Sequence, residues 1–196
     1  GDYGQIRFAN VVEATCRGYF EPYTLKRVCS LIGELFTNNG QGKLAEEQGL
    51  LPFSVLVLEP SRTLCEKIMS LVRFSYSENP IVDLKNKIRH IYDLHQLLSE
   101  EELLRFFESI EFDTMLLRVA QDDVISFKNN NKWLKNHPVD SIMFEKPEKV
   151  WNDLKITYES DFKNLVYGSF PNEKELLTTL NLIQKRISSI DWKIKI

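Results

Sequence analysis

The spacing of apolar residues changes character near residue 59. Before it the pattern is mixed. Residues 5–16 carry Ile6, Phe8, Val11, Val12 and Thr15 with no good helical period, and they read as a strand in which Glu13 is the one central acid. Gly18 and Pro22 interrupt it. Leu25, Val28, Leu31, Ile32 and Leu35 then recur on one helical face, which predicts a helix from Leu25 to Phe36 capped by Thr24. Asn38-Asn39-Gly40 ends it, residues 41–52 read as a polar connection, and Phe53–Leu58 predicts a short strand buried on both faces.

After residue 59 only helical periods appear. One helix is predicted from Pro60, with Ser61 as candidate N-cap and Leu64, Ile68, Leu71 and Val72 on its apolar stripe. A second carries Leu84, Ile88, Ile91, Leu94 or His95, and Leu98, after a break around Ser77 to Pro80. Ser99 with Glu102 fits a capping box for a helix reaching Ser109, and Asp113 opens another to Phe127. Asn129-Asn130-Asn131 predicts a loop, followed by a poorly periodic stretch to Glu145. Pro147 suits a first helical position in a helix running to Val166. Gly168 to Pro171 breaks that helix, and Asn172 caps a last one with Leu176, Leu180, Ile183 and Ile187 inside. The fold class is therefore α+β, a partial sheet in residues 1–58 followed by a mainly helical bundle in 59–196.

Composition narrows the chemistry only slightly. With 43% hydrophobic residues and 27% charged, 196 residues are enough for a real core. A net charge of −3 implies no broad basic surface, so any nucleic-acid contact needs a local patch. Cys16, Cys29 and Cys65 form no CxxC pair, which suits reduced thiols in a cytoplasmic protein. No apolar run approaches the roughly 20 residues of a membrane span.

The candidate chemistry lies between Pro60 and Leu98. Lys67 and Asp93 fall off the apolar stripes of two successive helices. If those helices pack antiparallel, one ammonium and one carboxylate meet at a shared cleft. Simpler readings exist for each residue: a solvated lysine, an i,i+4 pair of Arg89 with Asp93, and another of Arg62 with Glu66. Glu111-Phe112-Asp113 has the form of an acid-x-acid metal motif but lies at a helix junction, where it reads as capping. Arg89 and His95 fit the loose Arg-x₅-His spacing of HEPN-type ribonucleases, a pattern frequent by chance.

The ordered set of segments resembles the AbiEii-type nucleotidyltransferase toxins of abortive-infection and toxin–antitoxin systems. The similar stretches are Phe20-Glu21-Pro22-Tyr23, Pro60-Ser61-Arg62-Thr63 leading to Glu66-Lys67, and Arg89-His90-Ile91-Tyr92-Asp93-Leu94. Tyr158, Tyr167-Gly168, Pro171 and Glu175-Leu176-Leu177 follow in the same order. The resemblance implies a nucleotidyltransferase-β sheet with a helical C-terminal region. It implies transfer of a nucleotide from a nucleoside triphosphate (NTP) to an acceptor, tRNA or another RNA or a protein, with Mg²⁺ held by carboxylates.

By the same resemblance Lys67 contacts the triphosphate and Asp93 is the fourth-motif acid, both in catalytic positions. Arg62, Glu66 and Arg89 flank the substrate, and Glu13 is a metal carboxylate. The family's Gly-Ser turn with its Asp-x-Asp pair is absent from these 196 residues. The expectation is thus a C-terminal portion of such a toxin, starting in mid-fold and inactive alone. Two alternatives stand beside it: a non-catalytic helical module that binds a cognate antitoxin, and a HEPN-like ribonuclease using Arg89 and His95.

Overall fold

The computed structural model describes residues 22–196. The strand expected over 5–16, with Glu13 and Cys16, lies outside the described residues. The elements run β1 (Tyr23–Val28), α1 (Leu31–Asn38), α2 (Gly42–Glu47), β2 (Phe53–Leu58), α3 (Pro60–Ser75), α4 (Pro80–Asn86) and α5 (Ile88–Ser99). Then come α6 (Glu101–Glu108), α7 (Ile110–Ser126), two short 3₁₀ turns, α8 (Ile142–Glu145), α9 (Pro147–Thr157) and α10 (Glu173–Ile187). A small antiparallel sheet followed by helices is the α+β arrangement expected.

The first helix is corrected. Residues 23–28 are a strand, paired with β2 in the register Tyr23↔Leu58 through Val28↔Phe53. Leu25 and Val28 fit a 3.6 period, but Tyr23, Thr24 and Val28 favour extended backbone, and the partner strand is some thirty residues away, beyond any local pattern. The helix starts only at Leu31, capped by Ser30, whose Oγ accepts from the Gly33 N–H at 3.0 Å. The stretch 41–52 is not all loop, since α2 lies within it and buries Ala45. Gly33 is needed there: a Cβ would meet the Leu50 carbonyl oxygen at 2.4 Å and Cys29 Sγ at 2.7 Å. Nor is β2 buried on both faces. Phe53 is 61% and Leu56 64% exposed.

From Pro60 onward the periodic positions hold. The buried cluster starts at Leu64 and includes all the stripe residues of α3, α5 and α10 named from sequence. α3 is its axis, packed against α4, α5, α6, α7 and α8, while α10 closes the far side against α5, α8 and α9. Boundaries shift. Glu59, not Ser61, precedes α3, with Pro60 in its first turn. The second central helix breaks at Lys87 into α4 and α5. Ser99 ends α5 rather than opening α6: its hydroxyl donates back to the His95 carbonyl at 2.8 Å. α7 starts at Ile110, three residues before Asp113.

The C-terminal motif residues do mechanical work. After α9 the backbone continues through a π turn at 158–162 and a 3₁₀ turn at 163–165. Tyr158 donates its buried hydroxyl to the Pro171 carbonyl at 2.9 Å and stacks on Phe170 with ring centres 4.4 Å apart. Asn172 and Glu175 form a full capping box at the head of α10. Arg186 ties α10 to the α6–α7 corner through Asp113 Oδ1 at 2.5 Å and the Ser109 carbonyl at 2.8 Å. Asp113 is thus occupied by an internal ion pair.

Asn172→Ala removes the side-chain half of the capping box. A loss of about 1 kcal/mol in unfolding free energy is expected, measured by urea denaturation, with no change in far-ultraviolet circular dichroism.

Candidate functional site

α3 carries two polar edges, and each meets a different neighbour. On the α5 side Lys67 Nζ donates to Asp93 Oδ2 at 2.6 Å, and the two side chains are 19% and 17% exposed. Arg89 Nε lies 3.4 Å from the same carboxylate oxygen but is 77% exposed. The meeting of lysine and acid inferred from spacing is therefore present. It coexists with the i,i+4 pair to Arg89 rather than competing with it. An ammonium has three N–H donors, so Lys67 keeps donors for a further acceptor. Two cations against one anion leave this edge with a net positive charge.

His90 stands beside this pair with its Nδ1 buried and unpartnered. Burial, reinforced by the charges of Lys67, Lys87 and Arg73 and opposed by Asp93, pushes its pKa down to about 4. The ring is neutral near pH 7.

On the α7 side, Arg62, Glu66, Ser70 and Arg73 form a stripe along α3 at helical spacing. They face Val119, Asp122, Asp123 and Ser126 of α7, with Phe127 just beyond, across a hollow of about 230 Å³. Neither Lys67 nor Asp93 lines it. Arg62 is only 2% exposed and donates to Glu66 Oε1 and Asp122 Oδ2, both at 2.8 Å. Burial presses the Arg62 pKa down, but the hydrogen bonds and charges of these two acids reverse that, and the net shift is upward. Arg62 and Glu66 are thus drawn into the α3–α7 join, away from the Lys67–Asp93 pair.

Arg73 and Asp123 were not legible as site residues in the sequence. Arg73 lies over the Phe127 ring at 4.2 Å and the Phe74 ring at 4.9 Å. Burial lowers its pKa, with Asp123 opposing. The Asp123 carboxylate makes no hydrogen bond or ion pair among the described residues. Burial raises its pKa to about 6, and Glu66 and Asp122 add to the shift while Arg73 and Arg62 oppose it. The available signal was a polar stripe at helical spacing along α3 and another along α7.

Arg89 and His95 point apart. Arg89 runs to Asp93 and solvent, whereas His95 Nδ1 is hydrogen-bonded to Thr179 Oγ1 of α10 at 2.9 Å. Among the described residues no group of three or more His, Cys, Asp or Glu side chains could hold a metal ion. No helix among them is long and apolar enough to cross a membrane.

A family model described as the nucleotidyl transferase AbiEii toxin of type IV toxin–antitoxin systems matches residues 2–192. The chain belongs to that family. No curated protein and no solved structure matches it significantly. Membership in the AbiEii family makes a nucleoside triphosphate the expected class of substrate and an antitoxin the expected class of partner.

His90 and Asp123 act on stability with opposite sign. A histidine depressed from 6.5 to about 4 contributes stability above pH 6.5 that is lost as pH falls toward 4. An aspartate raised from 3.8 to about 6 contributes stability below pH 3.8 that is lost as pH rises toward 6. Asp123→Asn leaves the His90 trend unopposed. Urea midpoints of that variant should climb more steeply between about pH 4 and 6 than those of the parent.

Proposed function

We propose that this chain supplies the phosphate-binding lysine and its orienting acid to a nucleotidyltransferase toxin. The reaction transfers a nucleotide from an NTP to an acceptor, tRNA or another RNA or a protein, in the cytoplasm. The observation that carries this reading is the Lys67–Asp93 contact of 2.6 Å between α3 and α5, part-buried and still reachable from solvent.

Within that reading Lys67 touches the triphosphate. Its charge is placed where negative charge accumulates as the bond to the leaving pyrophosphate lengthens. Asp93 is a positioning residue: it fixes the ammonium by one hydrogen bond and leaves the others for phosphate oxygens. Arg89, largely exposed, adds a second cation at the mouth. The neutral His90 adds no charge of its own.

Transferases of this class use Mg²⁺ to neutralise the triphosphate and align the attack. The described residues do not fit such an ion, because they offer no cluster of three ligating side chains. Glu13 remains the metal carboxylate proposed from family likeness, and these 196 residues contain no Gly-Ser turn followed by the Asp-x-Asp pair that the family uses. The 196 residues are accordingly proposed not to catalyse transfer by themselves.

A second reading is a module that docks an antitoxin through the N-terminal elements. It draws on the apolar side chains of Leu25 (64% exposed), Leu31 (84%) and Leu56 (64%). The ribonuclease alternative finds no support in the orientations of Arg89 and His95.

The test uses the complete product of the reading frame, incubated with α-labelled NTPs, Mg²⁺ and cellular RNA and protein. Label should move to one acceptor class. Lys67→Ala should reduce the rate by about 10²–10³-fold, and Lys67→Arg should restore part of it. Asp93→Asn should lower kcat more than it raises KM. Absence of transfer, or transfer indifferent to Lys67, rejects the reading. Retained antitoxin co-purification in Lys67→Ala, with loss in Leu25→Asp/Leu56→Asp, favours the docking module.

A further inference from the structure

The hollow between α3 and α7 contains two charged groups that the protein leaves incompletely used. The Arg62 guanidinium is committed to Glu66 and Asp122. The Asp123 carboxylate accepts no hydrogen bond among the described residues, and the Arg73 guanidinium has only the two aromatic rings and the more distant attraction of Asp123. The hydroxyls of Ser70 and Ser126 also line the space.

The charges constrain what fits. An anion would meet Glu66, Asp122 and Asp123, and a cation would meet Arg73 and Arg62. A neutral group with an N–H donor beside an oxygen or nitrogen acceptor satisfies both Asp123 and Arg73. Every nucleobase presents such an edge. Val119 and Phe127 supply the apolar part of the lining against which a planar ring can rest. At about 230 Å³ the hollow is smaller than the ~300–1,000 Å³ of pockets that enclose a whole drug-sized ligand. It suits a base, not a whole nucleotide.

We propose that this hollow takes the base of the nucleotide whose phosphates Lys67 holds. Asp123 accepts from a ring or amino N–H, and Arg73 donates to the neighbouring carbonyl or ring nitrogen. The inference rests on the nucleotidyltransferase reading for Lys67. Position supports the link. Glu66, which lines the hollow, is adjacent to Lys67 in sequence, and the charges of Arg73 and Lys67 both act on the one His90 ring. The two sites therefore lie on neighbouring flanks of α3.

Calorimetric titration of the 196-residue chain with inorganic tripolyphosphate, the four ribonucleosides and the four NTPs separates the two assignments. The parent chain should bind at least one NTP more tightly than tripolyphosphate. Asp123→Asn and Arg73→Gln should each weaken that NTP about tenfold or more and leave tripolyphosphate unchanged. Lys67→Ala should weaken tripolyphosphate and NTP alike and leave nucleoside binding intact.

An NTP affinity unaffected by either hollow variant, or a parent chain with no preference for any NTP over tripolyphosphate, overturns the base site. Tripolyphosphate binding indifferent to Lys67 instead overturns the phosphate assignment. If the charge variants lose tripolyphosphate binding through misfolding, Ser70→Leu decides. It fills the hollow from a side chain that makes no hydrogen bond, and it should show the same selective loss of NTP affinity.

Discussion

α3 is enclosed by five other helices, and that enclosure governs what its charged residues can do. Leu64, Cys65, Ile68, Met69, Leu71 and Val72 are buried to 1% exposure or less, so the helix has little free surface on which to solvate a charge. Arg62, Lys67 and Arg73 sit on the remaining edges. Each must find an anion, an aromatic face or a ligand, because a desolvated cation without a partner is strongly unfavourable. The structure resolves the three cases differently. Arg62 is held by at least two carboxylates, Lys67 by one, and Arg73 lies on two aromatic rings. That gradation separates a cross-link between α3 and α7 from cations with fewer internal partners.

The rest of the bundle serves to hold α3 and α5 in register. α10 reaches α5 through the His95–Thr179 hydrogen bond and reaches the α6–α7 corner through Arg186. The tail segment is pinned by Tyr158 and Pro171, which places Asn172 at the head of α10. Residues that match the family far from any chemistry therefore have a mechanical explanation. They determine where α10 begins, and α10 supports the face of α5 opposite Asp93.

The helical part of the fold was legible because its signal is local. The stripes of α3, α5 and α10 could be named residue by residue, and the Pro147 and Asn172 starts follow from side-chain chemistry at a fixed offset. The stretch from Thr24 to Val28 was misread because a strand depends on a partner thirty residues away, and the apolar spacing suited either structure. The Lys67–Asp93 contact could be inferred from two stripes and an antiparallel packing. The hollow at Arg73 and Asp123 could not, because it depends on α3 and α7 meeting across some fifty residues of sequence. Glu13 and the strand expected around it lie outside the described residues.

The neutrality of His90 has a bearing on robustness. An imidazole so close to Lys67 would, if it gained a proton, repel the ammonium and alter the local potential in the ordinary range of cellular acidity. Its pKa of about 4 keeps that from happening near neutrality. The electrostatic potential around Lys67 near neutrality is then free of any contribution from a protonated His90.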